Sequence, residues 1–141
     1  MINIFIDTSG SMSEMGKDSG VIYIVKTILD YCENNGVSTS LFKLDGSKIY
    51  DLFSLKFNEK LQAITFEKVS NTILISDGFI EVEDDFFDIS IAIGIDFDEK
   101  NLKKISKRIF EPENIIQALE YKIFNHNLTN LSLEVKDKDE W

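Results

Sequence analysis

An aspartate and two serines at two-residue spacing, Asp7, Ser9 and Ser11, follow directly on the apolar run Ile2 to Ile6. A loop that curls at this point aims one carboxylate and two hydroxyls at one spot, and Gly10 gives its backbone room to bend. All-oxygen ligands of this kind suit a hard cation. They fill three positions of the octahedron that Mg²⁺ prefers, and water takes the rest. A zinc site would need a His/Cys cluster, which the chain lacks: His126 is its only histidine and reads as a surface residue, and Cys32 is its only cysteine and reads as a buried thiol on a helix. The same two facts leave no Ser/His or Cys/His pair for nucleophilic catalysis.

For these oxygens to converge, the elements behind them must be rigid. Ile2 to Ile6 is short and rich in β-branched residues, and it reads as a buried strand. From Asp18 onward Val21, Ile24, Val25, Ile28, Leu29 and Cys32 recur at helical spacing and stop before Gly36, which predicts an amphipathic helix. Val37 to Leu44 reads as a second strand, and Asp45-Gly46 as a tight turn into a third, Lys48 to Phe53, giving an antiparallel hairpin. Asn58 to Val69 is predicted as a short helix. Thr72 to Ser76 is a continuous apolar strand ending at Asp77-Gly78, and Asp88 to Ile95 repeats that form and ends at Asp96. Lys100 to Lys107 and Pro112 to Phe124 are predicted helices, with a short edge strand at Arg108 to Phe110 between them. Strands alternating with helices imply an α/β fold, its sheet mostly parallel with one antiparallel hairpin edge and helices on both faces. Ligands of such sheets bind beyond the carboxyl ends of the strands, where Asp7, Asp77 and Asp96 all fall.

The 141 residues bound the answer further, since 43% hydrophobic and 28% charged content with one proline describes one globular domain. Residues 1–131 form that domain, and 132–141, ending "EVKDKDEW", read as a charged tail. A formal charge of −10 argues against nucleic acid, because counterion release from phosphates requires basic residues. No apolar run is long enough for a membrane span and no signal peptide is evident, so a cytoplasmic location without membrane contact is expected.

"IFIDTSGSM" ahead of a helix, with "TILISDG" on a later strand, resembles the von Willebrand factor A (vWA) domain and its metal-ion-dependent adhesion site. The likeness covers nearly the whole chain, with "SIAIGID" as the following strand and "FEPENIIQAL" as the last helix. It implies the three-layer, Rossmann-like vWA fold and a Mg²⁺ ion, with Mn²⁺ or Ca²⁺ as alternatives. Asp7, Ser9 and Ser11 would contact the ion, and Asp77 would hold it through water. The family's Gly-Gly-Thr loop is missing between Phe53 and Thr72. Ser54 or Thr65 is left to supply the last ligand, and Thr65 is preferred.

The resemblance further implies a protein–protein interaction module, not an enzyme, in which a partner's Asp or Glu completes the metal's coordination. Small members of this kind resemble bacterial versions encoded beside ATPases, kinases or phosphatases in stress, conflict or defence systems. Phe79 and Ile80, just after Asp77-Gly78, are expected at the rim of the site as partner contacts. Two other readings stand beside this one: a Mg²⁺-dependent phosphatase-like hydrolase, although Ser9 replaces the second carboxylate such enzymes need, and a scaffold whose metal site has decayed.

Overall fold

The computed structural model describes residues 1–57 and 67–131. Strand β1 (Ile2–Ile6) is followed by a 3₁₀ turn (Gly10–Ser13), helix α1 (Lys17–Asn34) and strand β2 (Thr39–Lys43). A second 3₁₀ turn (Leu52–Ser54) precedes β3 (Thr72–Ser76) and β4 (Phe87–Ala92). The chain continues through α2 (Glu99–Ile105), β5 (Ser106–Phe110), a third 3₁₀ turn (Pro112–Asn114) and α3 (Ile115–Leu131). The five strands form one sheet in the order β2-β1-β3-β4-β5, every neighbouring pair parallel. This architecture is compatible with a Rossmann-like fold.

Side-chain alternation along the strands builds two cores. Ile2, Ile4 and Ile6 of β1, Ile73 and Ile75 of β3, and Ile89 and Ile91 of β4 face α1 and α3. Phe5 and Leu74 point the other way, toward Leu102 and Ile105 of α2. Helices therefore cover both faces, as expected for parallel strands with apolar side chains on both sides. Each fully buried Ile contributes about 1.5–3 kcal/mol, which makes the central strands the rigid part of the molecule. Helix α1 buries Val21, Ile24, Val25, Ile28 and Cys32 and ends where Gly36, at φ +71°, sends the chain back toward β2. At the amino end of the sheet, Asp88 accepts from the Thr72 backbone N–H at 3.1 Å and from Lys122 of α3 at 3.0 Å, tying that helix to two strands.

The predicted antiparallel edge does not form. Gly46, at φ +88°, reverses the chain, and the Phe42–Lys48 bridge and an Ile49 N–H to Leu41 C=O bond begin a pairing that goes no further. Ile49 and Leu52 are both buried in the core shared with α1. Residues three apart lie on opposite faces of a strand. The chain instead turns into a 3₁₀ segment, capped by the Asp51 carboxylate on the Phe53 N–H. The predicted helix Asn58 to Val69 falls mostly outside the described residues, and Glu67 to Val69 are not helical. The tail 132–141, Thr65 and the side chain of His126 also lie outside what is described. No helix among the described residues is long and apolar enough to cross a membrane.

Candidate functional site

β1 and β3 lie side by side at the centre of the sheet, and the chain leaves β1 toward β2 on one side and reaches β3 on the other. This is the topological switch point, the place beyond the carboxyl ends where open α/β sheets generally bind ligands. Asp7 and Asp77 are the first residues after these two strands. The Asp7 N–H extends the ladder by one bond to the Ile75 C=O at 3.0 Å, so its Cα is fixed by the sheet rather than by the loop.

Both Asp7 and Asp77 are fully buried. The Ser9 hydroxyl and backbone N–H donate to Asp7 Oδ1 at 2.6 and 2.9 Å, and the Ser76 hydroxyl donates to Oδ2 at 2.7 Å. Ser76 Oγ also accepts from the Gly78 N–H at 2.9 Å, which links the two aspartate loops through one hydroxyl. Burial pushes the Asp7 carboxyl above its ordinary value, aided by the charge of Asp77 and resisted by the serine donors. Ser11 sits half-buried in the 3₁₀ turn, which is opened by a Met12 N–H to Ser9 C=O bond and pinned by the buried Met12 side chain.

Asp77 has a partner that the spacing of residues did not reveal. The Lys17 ammonium lies 3.0 Å from Asp77 Oδ2 and 2.9 Å from Asp96 Oδ1, and the lysine is only 3% exposed. Burial alone would lower the Lys17 pKa, but the two carboxylates outweigh it and raise it. Lys17 in turn holds the Asp96 carboxyl below its ordinary value. The lysine stem runs past Gly94, which adopts φ +88°; a Cβ there would stand 2.5 Å from Lys17 Cε. Lys17 therefore joins Asp77 to Asp96, while Asp7 is tied to the same strand end through the Ser76 hydroxyl.

The loop after Asp77 is braced by α2. The Asp98 N–H donates to the Asp77 C=O at 2.8 Å, and Asn101 Nδ2 reaches the carbonyls of Gly78 and Ile80, both at 2.6 Å. Gly78, at φ +91°, is forced by this packing, since a Cβ would lie 2.8 Å from the Asp98 carbonyl oxygen. The expected rim pair divides: Phe79 is 46% exposed, whereas Ile80 is buried in the core against α2. Phe79 lines an open groove of about 1130 Å³ together with Val82, Lys100 and Lys104.

The structure thus places Asp7, Ser9 and Asp77 at the ends of two neighbouring strands, all buried, with Ser11 in the adjoining turn. Thr65 lies outside the described residues. Ser54 is exposed, and its hydroxyl and N–H both bond to the Asp51 C=O. No group of three or more His, Cys, Asp or Glu side chains placed to hold a metal occurs among the described residues. No family model matches the chain, and no curated protein matches it.

Sequence reasoning missed Ser76 and Lys17. Ser76 carried a signal, a hydroxyl closing the run "TILI" immediately before the aspartate. Lys17 carried a subtler one. A cation in the first turn of a helix opposes the helix dipole, so it must be held there by something else.

Proposed function

We propose that the chain is a vWA-type binding module that engages a partner protein's carboxylate through a divalent cation, Mg²⁺ by preference. The observation that carries this reading is the emergence of Asp7 and Asp77 side by side at the switch point, with Ser9 already bonded to the first carboxylate. The donor set fits a hard cation: carboxylates and hydroxyls with no nitrogen or sulfur ligand. The Lys17 ammonium supports the fit as a stand-in, because it shows that the strand ends accept positive charge. Asp7, Ser9 and Ser11 would hold the ion, with Asp77 behind them. When bound, the ion would offer an open coordination position to an acidic side chain, which a protein of charge −10 otherwise repels.

The remaining residues of the face fit a docking role. Ser76 fixes the Asp7 carboxylate, Asn101 fixes the loop that carries Asp77, and Phe79 presents an aromatic edge beside the groove. Aromatic side chains of this kind are the usual anchors of interfaces. The same analogy suggests a cytoplasmic role with an ATPase, kinase or phosphatase partner. Lys17 favours a second reading, a scaffold that has given up its divalent ion, because it already neutralises part of the charge that would bind one.

Thermal melting separates the two. A ligand of the native state at 100 times its dissociation constant adds about 2.7 kcal/mol of stability. The wild type should melt higher in Mg²⁺ than in EDTA, and Asp7→Ala should lose that difference while still folding. Coincident wild-type curves with and without Mg²⁺ would reject the metal reading and leave the scaffold.

A further inference from the structure

Lys17 is costly where it stands. Its side chain is 1% exposed, it begins a helix whose N-cap Gly16 provides no side-chain cap, and its charge opposes the helix dipole. A buried ammonium is tolerated only when it is paired and hydrogen-bonded. Its two partners differ in position. Asp77 is sealed inside, whereas the Asp96 side chain is 42% exposed. The ammonium therefore bridges a buried carboxylate and a part-exposed one, and Gly94 leaves room for the lysine stem beside them.

From this geometry we infer that Lys17 is a tethered cation that competes with the divalent ion for Asp77, with Asp96 as the seat to which the ammonium withdraws. The inference rests on the metal reading above and extends it to regulation. While Lys17 bonds Asp77, the carboxylate is neutralised without any ion. Binding Mg²⁺ requires that contact to be given up, and the Asp96 contact keeps the displaced ammonium paired at the surface. The module then engages an acidic partner only when Mg²⁺ is abundant enough to win the exchange, so the lysine sets the threshold.

Two measurements on the folded full chain test this. The first pulses the wild type with acetic anhydride and reads each lysine by mass spectrometry. In EDTA Lys17 should be protected relative to exposed Lys103, and saturating Mg²⁺ should accelerate its labelling several-fold without changing Lys103. The second compares Mg²⁺ affinity by calorimetry in the wild type and in Lys17→Met, or Lys17→Gln if the first variant does not fold. Releasing Asp77 from one charge-assisted hydrogen bond should tighten binding by roughly tenfold or more. Equal affinities, with Lys17 still protected when Mg²⁺ is bound, overturn the competition and leave the metal reading standing. Binding by the variant alone upholds the competition, with Lys17 winning outright, and fails the metal reading for the native chain. Absence of Mg²⁺ binding in both proteins removes both.

Discussion

Gly94→Ala tests whether the buried lysine depends on its path. Two costs are expected, and the structure separates them. The first is backbone strain, because φ +88° is poorly tolerated by any residue with a Cβ and costs about 1–2 kcal/mol. The second is collision. The new methyl would lie 2.5 Å from Lys17 Cε and 2.9 Å from Asp96 Oδ1, where ordinary contact begins at 3.4 Å. Lys17 must then retreat by about 1 Å, which carries its ammonium beyond hydrogen-bond reach of Asp77. Losing a hydrogen bond between charged groups costs about 1.5–3 kcal/mol. The sum is about 2.5–5 kcal/mol, a fall in Tm on the order of 10 °C for a domain of this size.

Gly16→Ala supplies the control. Gly16 has a similar φ of +76° and nothing within 4 Å of its virtual Cβ, so only the strain of about 1–2 kcal/mol should appear. Urea denaturation in EDTA of both variants, and of Gly94→Ala in a Lys17→Ala background, completes a double-mutant cycle. With Lys17 truncated, the cost of Gly94→Ala should fall toward that of Gly16→Ala, any excess left being the contact with Asp96 Oδ1. An equal cost for the two glycines in the wild-type background would refute the claim that Gly94 makes room for Lys17.

Three further outcomes follow from burial and pairing. Ile80→Ala should lose about 2–5 kcal/mol in denaturant titration, as a large-to-small change in a core does, whereas Phe79→Ala should stay within about 0.5 kcal/mol of the wild type. Ser90 Oγ is buried without a hydrogen-bond partner among the described residues, so Ser90→Ala should raise stability by up to about 1 kcal/mol on the same assay. For Asp88, burial acts to raise the pKa, but Lys122 and the Thr72 N–H prevail and hold it below the ordinary 3.8. A depressed carboxylate contributes stability above its unfolded pKa and loses it as pH falls through the folded one. The acid limb of the wild-type stability curve should therefore flatten in Asp88→Asn.

What could be read in the sequence was local. The apolar runs "INIFI" and "TILIS" specified buried strands because their alternation of side chains satisfies two cores at once. The helical spacing from Val21 to Cys32 likewise specified α1, and an aspartate directly after a strand has its Cα placed by the strand itself. Asp7 and Asp77 were legible for that reason. The hairpin was misread because Asp45-Gly46 reported its turn correctly while the burial of Ile49 and Leu52, decided by packing against α1, redirected the chain after it.

Lys17 and Ser76 belong to the part that only tertiary structure decided. Lys17 meets Asp77 across 60 residues of sequence, and Ser76 meets Asp7 across 69. No periodicity or motif encodes such a pairing, since it exists only once parallel strands bring their carboxyl ends to one edge and a helix start is packed above them. Sequence determined which oxygens stand at the strand ends, through local strand and turn preferences. Tertiary structure decided which charge stands between them, because the desolvation that makes a buried ammonium seek two carboxylates arises only when the chain has folded.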